Sequence, residues 1–285
     1  MVPNDKSASD YENFIGKSLS HFEKTFADLS LDKQPFEAWI KNLLETAFWA
    51  SKTSHLPTIK DICIQFAKAQ DLAFSVNPEP KYHNRGHFKE VCLSMTELLK
   101  AQNDISPPLD NLSTWKMSDH DSLILLLCAI CHDFGHDGSM NKYPFELEKK
   151  SLEMIDAFMG QISIDSSNRK NIQSTVEPFI LATDPRFFPT LVSKFDMADS
   201  FSHSDCMSML LVESDLLAST LPARGKILGE RLSEEWQLTN PEAAASVKTD
   251  KGRLYFLEHI RFISPQSHAL GIEVIRKISI NQVNE

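Results

Sequence analysis

The stretch DSLILLLCAICHDFGH, residues 121–136, decides the fold class of this 285-residue chain. From Leu123 to Cys131 every residue is apolar, which is about half the length needed to span a bilayer. A segment that is apolar on all sides reads as a helix buried in a protein core. It ends on His132-Asp133, with His136 following. The same letters support two chemistries. Cys128-Ala-Ile-Cys131-His132 has the CxxCH pattern of covalent haem attachment. His132-Asp133-Phe-Gly-His136 sets imidazole and carboxylate donors at metal-ligand spacing. Haem attachment needs the two cysteines on a segment that wraps the ring, and a buried helix does not provide one. The metal reading is therefore the stronger.

The segments around this helix have the same character. Only 9 residues are glycine, and apolar residues recur at three and four. In FEAWIKNLLETAFWASK (36–52), Phe36, Ile40, Leu43, Leu44 and Phe48 fall on one stripe, which predicts one helix. In HFKEVCLSMTELLKAQ (87–102), Phe88, Val91, Met95 and Leu98 do the same. Leu228, Leu232 and Trp236 form a further stripe, read as core. No strand-turn-strand unit is visible, so the expected class is all-α, with about a dozen helices. Breakers stand at Asn77-Pro-Glu-Pro80, Ser106-Pro-Pro108, Asp184-Pro185 and Asn240-Pro241. We expect an N-terminal helical lobe over 1–80 packed on a catalytic core over 81–285 as one continuous domain. The first eight or so residues are expected to be loose.

Lys plus Arg is 29 against 39 Asp plus Glu, a formal charge of -10. This balance speaks against a nucleic-acid polymer as partner, since phosphate backbones are held by clustered cations. A small phosphate ester remains compatible, because bound divalent ions bring positive charge locally. No basic head with an apolar run opens the chain, so a cytoplasmic location is expected, with no membrane partner. The five cysteines, Cys63, Cys92, Cys128, Cys131 and Cys206, are read as free, mostly buried thiols.

Histidines and acids gather unevenly. Tyr82-His83-Asn84-Arg85-Gly86-His87 holds two histidines four apart; His132, Asp133 and His136 follow; Glu153 lies on the next helix; Asp215 interrupts the apolar run LLVESDLLAS. Taken singly, a buried histidine is more often a hydrogen-bonded core residue, and Asp215 reads equally as a paired core carboxylate. Together, His87, His132, Asp133 and Asp215 offer two imidazoles and two carboxylates from separate segments, which suits a divalent ion. An Asp directly after a ligand His can bridge to a second ion, and two ions form a clamp for phosphoester displacement.

In order and wording these motifs resemble the catalytic domain of the class I cyclic nucleotide phosphodiesterases, within the HD superfamily. YHNRGH (82–87), HDFGHDGSMN (132–141), LATD (181–184) and the Asp of SDLL (214–217) match the family's YHNxxH, HDxxHxGxxN, LATD and late Asp. The similarity covers roughly residues 60–265. It implies an all-α fold and hydrolysis of cAMP or cGMP to the 5′-monophosphate by a hydroxide bridging two metals. It implies His83 as the general acid and His87, His132, Asp133 and Asp215 as ligands of a tighter metal, typically zinc. Asp133 would bridge to a second ion, typically magnesium or manganese. His136 and Glu153 would fix the waters of that ion. Tyr82, Asp184, Arg253 and Phe256 fall at substrate-facing positions.

The departures concern the base pocket. If Phe256 is the family's stacking Phe, the purine-reading Gln is replaced by Arg253. Arg253 is read either as a guanine or phosphate contact or as a surface residue at a helix start. Ala218 stands where the family often has Asn, and Val212 where it has His. Two other functions stay open: an HD-type phosphohydrolase acting on another nucleotide or phosphate ester, and a non-catalytic nucleotide-sensing scaffold. The oligomeric state is open, a homodimer included.

Overall fold

The computed structural model describes residues 8–105, 112–197 and 201–285, and these fold into helices with no strand among them. The breaker at Ser106–Pro108 and the start of the chain lie outside the described residues. Fifteen α-helices are described, more than the dozen expected.

Helix α6 (Asp119–Cys131) is the centre. Ser118 caps it: its hydroxyl accepts from Asp121 N (3.1 Å) and Asp121 Oδ2 accepts from Ser118 N (2.9 Å). Every residue from Ser122 to Cys131 is buried, so the apolar run is packed on all sides, as its lack of a polar face requires. Two more buried helices lie against it, α5 (Arg85–Ala101) and α10 (His203–Thr220). Asn84 starts α5 by accepting from Gly86 N (2.8 Å) and His87 N (3.2 Å). Ser202 and Asp205 form the reciprocal cap of α10.

On one side α6 is covered by α3 (Ala47–Thr53) and α4 (Pro57–Val76), with α2 (Phe36–Glu45) packed on α4. The single helix expected over 36–52 is two helices. Thr46 between them is extended (ψ 150°), and both its N–H and its hydroxyl turn back to Leu43 O (3.1 and 2.7 Å). That turn lets Phe36, Ile40 and Leu44 on one helix and Trp49 on the next all reach the core. These residues join Leu123–Ile130 in one buried cluster. On another side stand α7 (Glu146–Met159), α8 (Ser166–Leu181) and α9 (Phe188–Asp196). Burying a side chain such as Leu126 or Phe66 contributes about 1.5–3 kcal/mol.

A second buried cluster closes the far end of α10. It joins Ile15, Phe22 and Phe26 of α1 (Ala8–Leu31) to Leu228 of α11 (Pro222–Trp236), Leu257 of α13 (Asp250–His259), and Ile272 and Ile275 of α15 (Ile272–Asn284). Helices α12 (Pro241–Val247) and α14 (Pro265–Ala269) complete the chain. Glu213, buried on α10, ties that end in: it accepts from Ile263 N (2.6 Å) and Ser264 N (2.8 Å), and burial pushes its pKa up to about 7.

All five cysteines are free and buried. Cys128 and Cys131 are core side chains of α6, and burial pushes both thiols up. No helix among the described residues is long and apolar enough to cross a membrane.

Candidate active site

The central helices bring their polar exceptions to one place. His87 sits in the first turn of α5, His132 and Asp133 follow the end of α6, and Asp215 lies on α10. His132 Nδ1 lies 3.3 Å from Ala129 O, which assigns the ring proton to Nδ1 and leaves Nε2 as a lone-pair donor. That Nε2 is 3.2 Å from Asp133 Oδ2 and 3.7 Å from Asp215 Oδ1. His87 Nε2 is 3.3 Å from Asp215 Oδ1 and 3.7 Å from Asp133 Oδ2.

Both Nε2 atoms are buried and neither closes a hydrogen bond. Buried polar atoms are normally satisfied, so two orphaned imidazole nitrogens facing two carboxylates make a candidate donor set for a divalent ion. The electrostatics agree. Burial disfavours charge on His132, but Asp133 and Asp215 outweigh it and push its pKa up to about 9. Burial works against the charge on Asp133 too, and the nearby His132 overcomes it, holding the carboxyl well below its ordinary range. A cation placed among these groups would take over that balance.

His83 stands beside this cluster, its Nε2 3.8 Å from Asp133 Oδ2. Its partner is Glu235, from the last turn of α11. Glu235 Oε1 pairs with His83 Nδ1, while Oε2 accepts from Tyr82 N (2.6 Å) and His83 N (3.0 Å). Burial lowers the pKa of His83, but the Glu235 hydrogen bond and the Asp133 charge outweigh it and leave it above the ordinary histidine value. His136 stacks on His83, ring centroids 3.7 Å apart. Burial and the charge of His83 lower His136 to about 4, so it stays neutral. His83, His136 and Glu235 also lie close enough together to hold an ion. However, Gly138 N–H donates to His136 Nδ1 (3.0 Å), and both oxygens of Glu235 are engaged.

The remaining expected residues land as follows. Glu153 is exposed on α7 and does not join the site. The carboxylate on the buried face of α7 is Glu148, whose two oxygens accept from Asn141 Nδ2 (3.1 and 3.0 Å). Burial and the charges of Asp184 and Asp133 raise its pKa. Helical spacing carried that signal: Glu148, Ser151, Leu152 and Ile155 share a face that Glu153 does not.

Asp184 is fully buried and spent on backbone, accepting from Phe145 N (2.7 Å) and Arg186 N (2.8 Å). It thereby secures the start of α7, where Phe145 takes the left-handed φ of 62°. Arg253 is neither a surface residue nor turned to the cluster: its guanidinium donates to Leu221 O (2.7 Å) and Ser219 O (3.3 Å) at the end of α10. Phe256 packs into the second core cluster. Tyr82 packs on His83 and His87, and its hydroxyl lies 3.1 Å from Ser219 Oγ. Glu235 was not expected from sequence. It is one of two adjacent glutamates, 152 residues from His83, and nothing local marks it.

Residues 82–156 match the family model of the 3′,5′-cyclic nucleotide phosphodiesterases. The fold is similar to the crystal structure of the phosphodiesterase domain of the RhoPDE fusion protein from the choanoflagellate Salpingoeca rosetta. The TM-score is 0.54 at 14% identity, over 99% of this chain and 90% of that one. No curated protein matches the sequence.

Proposed function

We propose that this chain, a metal-dependent hydrolase domain of the class I cyclic nucleotide phosphodiesterase type, hydrolyses cAMP, cGMP or both to the 5′-monophosphate. The observation that carries the reading is the pairing of two features. Orphaned Nε2 atoms of His87 and His132 converge with Asp133 and Asp215. Beside them is a histidine whose Nδ1 is held by Glu235.

His87, His132, Asp133 and Asp215 would hold one divalent ion, and Asp133 would be shared with a second, zinc with magnesium or manganese fitting the donors. Such ions supply Lewis acidity at the phosphoryl oxygens and a nucleophilic water at neutral pH. The chain's own residues do the rest. With its Nδ1 proton held on Glu235, His83 presents Nε2 toward the substrate side. Its raised pKa favours a proton on that ring, which a general acid needs. The water oxygen bonds to phosphorus, the bond to the 3′ oxygen breaks, and His83 delivers its proton to that leaving oxygen. Neutral His136, stacked on His83, adds no charge that would drive the proton off early. Glu148 lies within the field of Asp133 and, in place of Glu153, is positioned to order water on that side.

The test is product analysis. With manganese present, 3′,5′-cyclic nucleotide should yield the 5′-monophosphate. His83→Ala should lose turnover by roughly 10²-fold or more while keeping its metal. A 3′-monophosphate product, or an undiminished His83→Ala variant, would contradict the assignment.

A further inference from the structure

Two residues that the family resemblance would turn toward substrate, Tyr82 and Arg253, are joined through one serine. Arg253 reaches from α13 to the end of α10, where its guanidinium donates to Leu221 O (2.7 Å) and Ser219 O (3.3 Å). The seat is tight. A Cβ at Gly225 would lie 2.6 Å from Arg253 Nη1 and 2.2 Å from Ser219 O, so only glycine admits the guanidinium. Ser219 is itself buried, and its hydroxyl meets the Tyr82 hydroxyl at 3.1 Å. The Tyr82 ring then lies against both site histidines, 4.8 Å from the His83 ring and 4.8 Å from the His87 ring. Ser219 is one turn beyond Asp215 on the same helix.

We propose that Arg253, Ser219 and Tyr82 form a brace that positions His83 and His87 against Asp215, and that neither Arg253 nor the Tyr82 hydroxyl reads the nucleobase. These are positioning residues that act through the histidines. The kinetic part of the proposal rests on the cyclic nucleotide reading above; the metal part does not.

The test uses Tyr82→Phe, Ser219→Ala, their double variant, Ser219→Thr and Arg253→Met in the full chain. Manganese affinity is measured by calorimetry, and kcat and KM are measured for cAMP and cGMP. Loss of one internal hydrogen bond should weaken manganese binding and lower kcat by roughly three- to tenfold, with KM within twofold. The double variant should be no worse than either single one, since both break the same bond. Ser219→Thr, which keeps the hydroxyl, should restore both quantities. Arg253→Met should leave the cAMP-to-cGMP rate ratio within twofold.

A rise in KM at constant kcat and constant manganese affinity in Tyr82→Phe would make Tyr82 a substrate contact and overturn the proposal. So would a tenfold change of the nucleotide ratio in Arg253→Met, or additive losses in the double variant. If the wild-type chain turns over neither nucleotide, the functional reading fails, and the calorimetry alone still decides the brace.

Discussion

Metal binding should release a proton at neutral pH, because His132 must be stripped before it can coordinate. Its Nε2 lies 3.2 Å from Asp133 Oδ2 and 3.7 Å from Asp215 Oδ1. Burial opposes protonation, but the two carboxylates prevail and push the pKa up to about 9. A coordinating imidazole has to be neutral. The apparent association constant should therefore rise about tenfold per pH unit up to pH 9 and level off above it. An unperturbed ring would level off near pH 7. Between pH 7 and 9 the gain is about 50-fold. The assay is calorimetric titration of chelator-treated protein with manganese at pH 6.5–9, repeated in buffers of different ionisation enthalpy to count protons. At least one proton should be released per ion at pH 7.5. Asp215→Asn, which removes one carboxylate, should move the break to lower pH while weakening binding at the plateau. An affinity that is flat between pH 7 and 9, with no proton released, would refute the reasoning.

Three further outcomes follow from the same geometry. Glu235→Gln should lower kcat by roughly 10²-fold with metal content intact; removing the carboxylate lets the His83 pKa fall, so the alkaline limb of the pH–rate profile should move to lower pH. Asp184→Ala removes a fully buried carboxylate that accepts from Phe145 N and Arg186 N and should cost about 1–3 kcal/mol, measured by denaturant unfolding. Changing both Cys128 and Cys131 to Ala should leave metal stoichiometry unchanged and cost roughly 1–2 kcal/mol per site through cavities, since both pack in the core.

The fold class was legible in sequence because a helix with no polar face, Leu123–Cys131, can only be a core element, and the segments around it carry helical periodicity. The break at Thr46 was not, because the apolar stripe runs through it; only the turn of Thr46 onto Leu43 ends the helix. In the site, each histidine and aspartate that converges on the candidate metal position interrupts an apolar run or carries motif spacing, so local pattern found it. The family resemblance points to Glu153 by its place in the chain, whereas helical phase puts Glu148 on the buried face. Glu235 could not be found that way: its partner is 152 residues distant, and only the packing of α11 against the Tyr82–His83 segment joins them. Arg253 shows the complementary limit. Motif alignment gave its position, but the direction of its guanidinium depends on the Ser219 and Leu221 carbonyls at the end of α10 and on the missing side chain at Gly225.

The most direct test of the whole account is hydrolysis of cAMP and cGMP by the purified chain with manganese or magnesium, alongside Asp133→Ala, with bound metal counted in both. The account predicts turnover of at least one nucleotide by the wild type, and loss of both turnover and metal in the variant, because Asp133 faces both His87 and His132. Metal-loaded wild-type protein that hydrolyses neither nucleotide, or an Asp133→Ala variant that remains active, would contradict it.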